Sequence, residues 1–261
     1  MRNRLSLTKR WNFSPSCSRK WNSRHMCFLI EDYLNKKNNG INLIDINYKL
    51  QEIVDEGGVN LGYEVLINPA NLTDSAVNEV YDREIKYPHM SRALIARLDR
   101  YIARHACDFK EKHLFINLER SNLCDKYLLC DIVILKNSLE SLKANLVIEI
   151  TERDSCKRCS EIRKGFEFLQ KQKVLLAVDD YDLNSDFREE ELLSGFYHFL
   201  KVEHSDEADY YKRVLALSKR TRTKLIIERV ETQVARKQIT QSDVQFWGLQ
   251  GFLYTTIAVS L

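Results

Sequence analysis

Between residues 114 and 228 the chain repeats one unit, a strand-length apolar run that stops at a polar residue and is followed by an amphipathic stretch. The runs are Leu114-Phe115-Ile116-Asn117, Leu146-Val147-Ile148-Glu149, Leu175-Leu176-Ala177-Val178-Asp179-Asp180, Phe199-Leu200-Lys201 and Leu225-Ile226-Ile227-Glu228. Runs this short and this apolar read as strands buried on both faces of a parallel sheet. Around and between them, three-to-four spacing predicts helices that pack on the sheet. One helix carries Leu94, Ile95, Leu98, Tyr101 and Ile102; the next, Ile162, Phe166 and Leu169; the last, Tyr211, Val214, Leu215 and Ser218. From one polar ending to the next is roughly 20 to 30 residues, the length that a strand, a helix and two loops occupy. From about residue 42 onward no Pro-, Gly- or Ser-rich linker interrupts the repeat. The pattern predicts an α/β protein built as one TIM-like (β/α)8 barrel, with an open doubly wound sheet as the alternative. No GxGxxG follows the first strand and no GxxxxGK[ST] occurs, so dinucleotide and P-loop binding find no support.

With 44% hydrophobic residues in 261, the chain can bury a large core, which excludes a disordered or low-complexity scaffold. The formal charge of +3 is unevenly spread. Residues 1–25 hold seven basic residues and no acid, leaving 33 basic against all 37 acidic residues in the remainder. A nucleic-acid footprint needs a basic patch on the folded part, so no nucleic-acid partner is expected. The segment 1–25 reads as a basic, disordered tail ahead of a single domain over 26–261, without an apolar stretch long enough for a signal peptide or a membrane span. Seven cysteines, an odd number without a secretion signal, fit reduced thiols in a cytoplasmic protein. Cys156 and Cys159 form a CxxC, but no second pair completes a structural zinc site.

In a parallel barrel the carboxyl ends of the strands share one face. Glu64, Asn117, Glu149, Asp179, Asp180, Lys201 and Glu228 would therefore converge there. Five carboxylates so gathered repel one another and need cations between them, and hard oxygen donors select Mg²⁺ or Mn²⁺ over zinc. The neighbours Asp179 and Asp180 suit a two-ion site, one carboxylate bridging while the other reaches the second ion. Such sites hydrolyse phosphoesters, with Lys201 holding the attacking water or offsetting phosphate charge.

These residues resemble the EAL-domain cyclic di-GMP phosphodiesterases of bacteria, and the likeness runs from about residue 42 to 256. Glu64-Val65-Leu66 is similar to the signature tripeptide, with Val for Ala. In the family's order follow Phe115-Ile116-Asn117-Leu118, Glu149-Ile150-Thr151-Glu152 for ExTE and Asp179-Asp180-Tyr181 for DDF. Leu200-Lys201-Val202-Glu203 matches IKID, Ile227-Glu228-Arg229-Val230-Glu231-Thr232 matches AEGVET, and Gln250-Gly251-Phe252 matches QGY. The resemblance implies a modified barrel of the EAL type that cleaves cyclic di-GMP to linear pGpG with two Mg²⁺ or Mn²⁺ ions. It implies Glu64, Asn117, Glu149 and Asp179 as metal ligands, with Asp180 and Glu228 completing the second ion. Lys201, Glu228 and Gln250 would act on the attacking water, Glu152 would hold the loop after the DDF strand, and Leu66, residue 68 and Glu231 would meet substrate.

Several positions depart from the family. Asn68 stands where the family has an Arg on substrate phosphate, a loss of a charge-assisted contact commonly worth about 1.5–3 kcal/mol. The DDFGTG loop reads Asp179-Asp180-Tyr181-Asp182-Leu183-Asn184, without its glycines, and so needs a different path. YQP becomes Tyr48-Lys49-Leu50, and the Gly of AEGVE becomes Arg229. The leading expectation is a phosphodiesterase, weakened in substrate binding, acting on the second messenger that controls motility, biofilm and fimbriae. The alternative is a degenerate relative that binds cyclic di-GMP without cleaving it or docks a transcription regulator. A homodimer through the loop after the DDF strand is a further implication of the resemblance.

Overall fold

The computed structural model describes residues 47–68, 86–151, 159–207 and 209–261. The basic tail over 1–25, Glu152 and Cys156 lie outside the described residues.

Two strands come first, β1 (Asn47–Val54) and β2 (Asn60–Asn68), joined by a tight turn in which the Asp55 carboxylate accepts a hydrogen bond from the Val59 amide at 2.8 Å. A connection this short returns the chain antiparallel, and the pairing runs from Asn47 opposite Asn68 to Val54 opposite Asn60. Helix α1 (Pro88–Arg104) starts on Pro88, whose fixed φ suits a first turn, and turns Met90, Ala93, Ile95, Leu98 and Ile102 inward. The short α2 (Ala106–Phe109) precedes β3 (His113–Leu118). A 3₁₀ turn (Arg120–Cys124) leads into α3 (Lys126–Glu140), whose first turn is capped by Asp125 accepting from the Leu128 amide. Then come β4 (Asn145–Ile150), α4 (Ser160–Lys171), β5 (Leu175–Val178), the one-turn α5 (Glu189–Leu193) and β6 (Phe199–Glu203). The last elements are α6 (Tyr210–Thr221), β7 (Lys224–Glu228), α7 (Gln233–Gln241) capped by Thr232, β8 (Gly248–Gln250) and β9 (Thr256–Val259).

Strands β2 to β8 are parallel neighbours in chain order, and β8 closes on β1 through Ile53 opposite Gln250. The outcome is a closed eight-stranded α/β barrel, with β9 continuing the sheet along β1 from Tyr48 opposite Val259 to Gln51 opposite Thr256. The repeat predicts a barrel whose strands are all parallel; β1 differs, running against both β2 and β8. Each predicted apolar run forms its strand, and the predicted helical faces lie in α1, α4 and α6. No helix among the described residues is long and apolar enough to cross a membrane.

The larger core lies between strands and helices. Inside the barrel sits a separate layer made of Ile53, Phe115, Val147, Ala177, Phe199 and Ile226, all 0–1% exposed. Strands β2 and β8 contribute Gly62 and Gly248 at the corresponding positions, where close approach leaves no room for a side chain. A Cβ on Gly62 would lie 2.1 Å from the His113 carbonyl oxygen, and one on Gly248 2.7 Å from Ile53 Cγ2.

Candidate active site

Side chains on a strand return to the same face every second residue. Two residues further along each parallel strand from the apolar layer stand Glu64, Asn117, Glu149, Asp179, Lys201, Glu228 and Gln250. On β1 the same level is reached two residues earlier, at Gln51, because that strand runs the other way. Every barrel strand thus sends one polar side chain into a second layer resting on an apolar floor.

At its centre is Lys201, fully buried on β6. Its Nζ lies 3.1 Å from Glu64 Oε2, 2.8 Å from Glu149 Oε1, 3.0 Å from Asp179 Oδ1 and 2.9 Å from Glu228 Oε1. Asn117 Nδ2 donates to Glu64 Oε1 at 2.6 Å. Gln250 Nε2 donates to Glu64 Oε2 at 2.5 Å and to Gln51 Oε1 at 2.9 Å. Gln51 is the member of this layer that the sequence reading misses.

One ammonium does not balance this cluster, and the carboxyl groups respond unequally. Burial alone would raise Glu64, but the charge of Lys201 and hydrogen bonds from Gln250, Asn117 and Lys201 hold it below the usual carboxylate range. Burial, reinforced by the charge of Glu64, pushes Glu149 well above that range. Burial raises Glu228 to about 8 despite the nearby Lys201. Burial works against the charge on Lys201, yet Asp179, Glu149, Glu228 and Glu64 hold its ammonium well above the ordinary lysine value. The layer keeps protons because its carboxyl groups are buried with only one ammonium among them.

Its donor atoms suit divalent cations. Among the described residues Glu149 Oε2, Glu228 Oε2 and Gln250 Oε1 are buried acceptors without a hydrogen-bond partner, and Glu149 Oε1 meets Lys201 at ion-pair distance only. Asp179, Asp180 and Glu228 each offer an oxygen within 4.8 Å of the others. Asp180 reaches this group because it turns at φ +44° directly after β5, a left-handed angle that Asp tolerates better than most residues. With all five carboxylates ionised against one ammonium, four negative charges would remain, the number that two divalent cations neutralise.

Above the layer opens a cleft of about 690 Å³, lined by Glu64, Asn117, Asp179, Asp180, Glu228 and Gln250 from the predicted set. Leu66 and Glu231 also line it. Asn68 does not; it ends β2 opposite Asn47, beyond the lining residues. Lys49, Glu119, Thr151, Arg229 and Phe252 line the cleft as well. Among these, Lys49, Arg229 and Phe252 were visible in the sequence only as departures or variants of matched motifs.

The loop after β5 follows its own path, with neither Leu183 nor Asn184 at positive φ. Asp182 instead accepts from the Asn184 amide at 2.9 Å and from the Ser185 hydroxyl. Further on, fully buried Arg188 grips Asp186 through Nε at 2.9 Å and donates from Nη1 to the Ile150 carbonyl at 2.6 Å, tying the loop to the end of β4. Arg120, also buried, pairs with Glu191 on α5. Cys159 has its sulfur 3.9 Å from that of Cys124.

No protein-family model matches the chain, and no curated protein matches it. Solved structures do. The EAL domain of Xanthomonas citri FimX in complex with cyclic di-GMP superposes with a TM-score of 0.64 at 13% identity, over 89% of this chain and 96% of that one. The PaMucR phosphodiesterase in complex with cyclic di-GMP gives a TM-score of 0.62 at 19% identity over 82% and 97%. Klebsiella pneumoniae BlrP1, in a complex with calcium and cyclic di-GMP, gives 0.58 at 20% identity over 82% of this chain; the match spans 56% of that protein. An antiparallel first strand, seven parallel strands, a polar layer with one side chain per strand and these superpositions lead to one conclusion: the chain has the fold of the EAL domains.

Proposed function

We propose that this protein hydrolyses cyclic di-GMP to linear pGpG with two Mg²⁺ or Mn²⁺ ions. The observation that carries the reading is the polar layer, in which buried oxygens without donors on Glu149, Glu228 and Gln250 lie beneath a cleft, lined by Glu228 and Gln250, that is large enough for a small-molecule ligand. Glu64, Asn117, Glu149 and Asp179 would hold one ion, and Asp179, Asp180 and Glu228 the other. When bound, such ions neutralise charge that builds on a phosphoryl group and lower the pKa of water. Asn117 commits its Nδ2 to Glu64, which leaves Oδ1 as the atom available to a cation. Lys201 keeps its proton; its three N–H donors already face four carboxylates, so it would meet the attacking water only in place of one of them. Gln250, steadied by Gln51 and Glu64, presents Oε1 as an acceptor for a water O–H. The partly buried side chain of Leu66 and the exposed ring of Phe252 supply apolar surface for a purine at the rim.

The competing reading, binding without cleavage or docking of a transcription regulator, draws on Asn68 and on the loop after β5 without glycines. Incubating the full chain with Mn²⁺ and cyclic di-GMP and separating the nucleotides decides between them. Formation of pGpG is expected. No product at high protein concentration, together with calorimetric binding in Ca²⁺, would make it a binding protein, and the absence of both would leave the docking role.

A further inference from the structure

Six acidic side chains line the cleft, Glu64, Glu119, Asp179, Asp180, Glu228 and Glu231, against two cationic ones, Lys49 and Arg229. An anionic ligand needs positive charge near its phosphates beyond whatever the polar layer holds, so these two cations decide where a phosphate can sit. The guanidinium of Arg229 lies 2.7 Å from Glu203, a carboxylate that is not among those lining the cleft. The ammonium of Lys49 has no partner among the described residues, and the cleft is the space that it lines.

The register fixes where Lys49 stands. Gln51 faces Glu64 across the β1–β2 pair, and both side chains meet Gln250, so this face of the hairpin looks into the barrel mouth. Lys49 lies opposite Leu66 on the same face, one side-chain step above the polar layer, about 7 Å along the strand. Its neighbour on the other side, in β9, is Ala258, which leaves a long side chain room to lean over the cleft. Asn68 is opposite Asn47, the next pair outward on this face. Strand β2 carries an uncharged amide at that outer position, while the positive charge stands on β1, diagonally across the same face.

We infer that Lys49 is the residue that meets a phosphodiester oxygen of the ligand. This rests on the proposed function for the class of ligand, a cyclic dinucleotide, and adds the residue that fixes its phosphate. Lysine acts here as a point charge reaching down from the rim, which leaves the phosphate oxygens facing the polar layer uncovered.

The test is calorimetric titration of the full chain with cyclic di-GMP in Ca²⁺, comparing wild type with Lys49→Gln, Lys49→Arg and the double variant Lys49→Gln, Asn68→Arg. Loss of a charge-assisted hydrogen bond predicts about a tenfold to hundredfold rise in Kd for Lys49→Gln. Lys49→Arg should stay within a few-fold of wild type, and the double variant should regain much of the loss. Wild-type Kd should also rise with added salt more steeply than that of Lys49→Gln, since a charge contact at the rim of an open cleft is screened. Melting temperatures of all four proteins separate a contact from a folding defect. Wild-type binding with Lys49→Gln equally tight overturns the assignment and leaves the proposed function standing. Wild type that neither binds nor cleaves cyclic di-GMP overturns the proposed function, and the assignment with it.

Discussion

At the scale of single residues, the decisive fact is that one lysine answers four carboxyl groups. Removing it as Lys201→Met leaves buried acids without a counter-charge, and breaking a buried pair from one side costs about 3–5 kcal/mol. Chelator-treated Lys201→Met should therefore melt well below wild type, with part of the difference recovered on adding Mn²⁺; equal melting curves in chelator would refute the ionic account. Glu64→Ala removes a carboxylate proposed to hold a cation on the floor of the cleft and should cut turnover by orders of magnitude with a smaller change in melting. An unchanged rate would place the chemistry elsewhere. Most of this layer was legible in the sequence because parallel strands deliver their carboxyl ends to one level, so a polar residue closing an apolar run announces itself. Gln51 was not, since it lies inside its strand and reaches that level only because β1 is reversed. Arg188 gave no signal either, as nothing local distinguishes a buried guanidinium from a surface one.

Among the elements, the segment from β5 to α5 shows how a loop without glycine is held. Its fixed points are side chains: Asp182 closes the turn, and Arg188 binds both Asp186 and the Ile150 carbonyl. Arg188 is 0% exposed and Asp186 3%, so Arg188→Met leaves a buried carboxylate without its counter-charge and removes one of the two donors to the Ile150 carbonyl. The expected loss is about 3–5 kcal/mol, read by urea denaturation. The control is Arg213→Met, which breaks a pair with Glu207 whose side chains are 41% and 60% exposed. That change should stay within about 1 kcal/mol, and equal losses at the two sites would remove the special role of Arg188. The sequence predicted that this loop departs from a glycine-containing path; what replaces it could not be read, because it depends on a contact between residues 150 and 188.

For the whole molecule, the polar layer couples stability to pH and to metal. Glu149 and Glu228 carry folded-state values above the ordinary 4.5, so the folded chain retains protons that the unfolded chain has released. Stability of the chelated protein must then fall as pH rises from about 4.5 to about 8. Glu64, shifted downward, acts below that window, and Lys201, shifted upward, acts above it. Cations bound at the proposed site would displace the retained protons, so metal affinity should rise with pH over the same range and binding should release protons. Melting scans at several pH values with and without Mn²⁺ check both statements; a melting temperature that climbs with pH in chelator would contradict them. The reversed first strand carries a last consequence, for the order in which the molecule is made. Gln51 and Gln250 are 199 residues apart in sequence, so β1 waits for β8 and β9 before the barrel closes. Until then the sheet keeps open edges and loop-closure entropy is unpaid, the condition under which folding is slow and intermediates aggregate. A layer that draws one side chain from every strand is complete only at that moment, so binding of the proposed cations would report the end of folding.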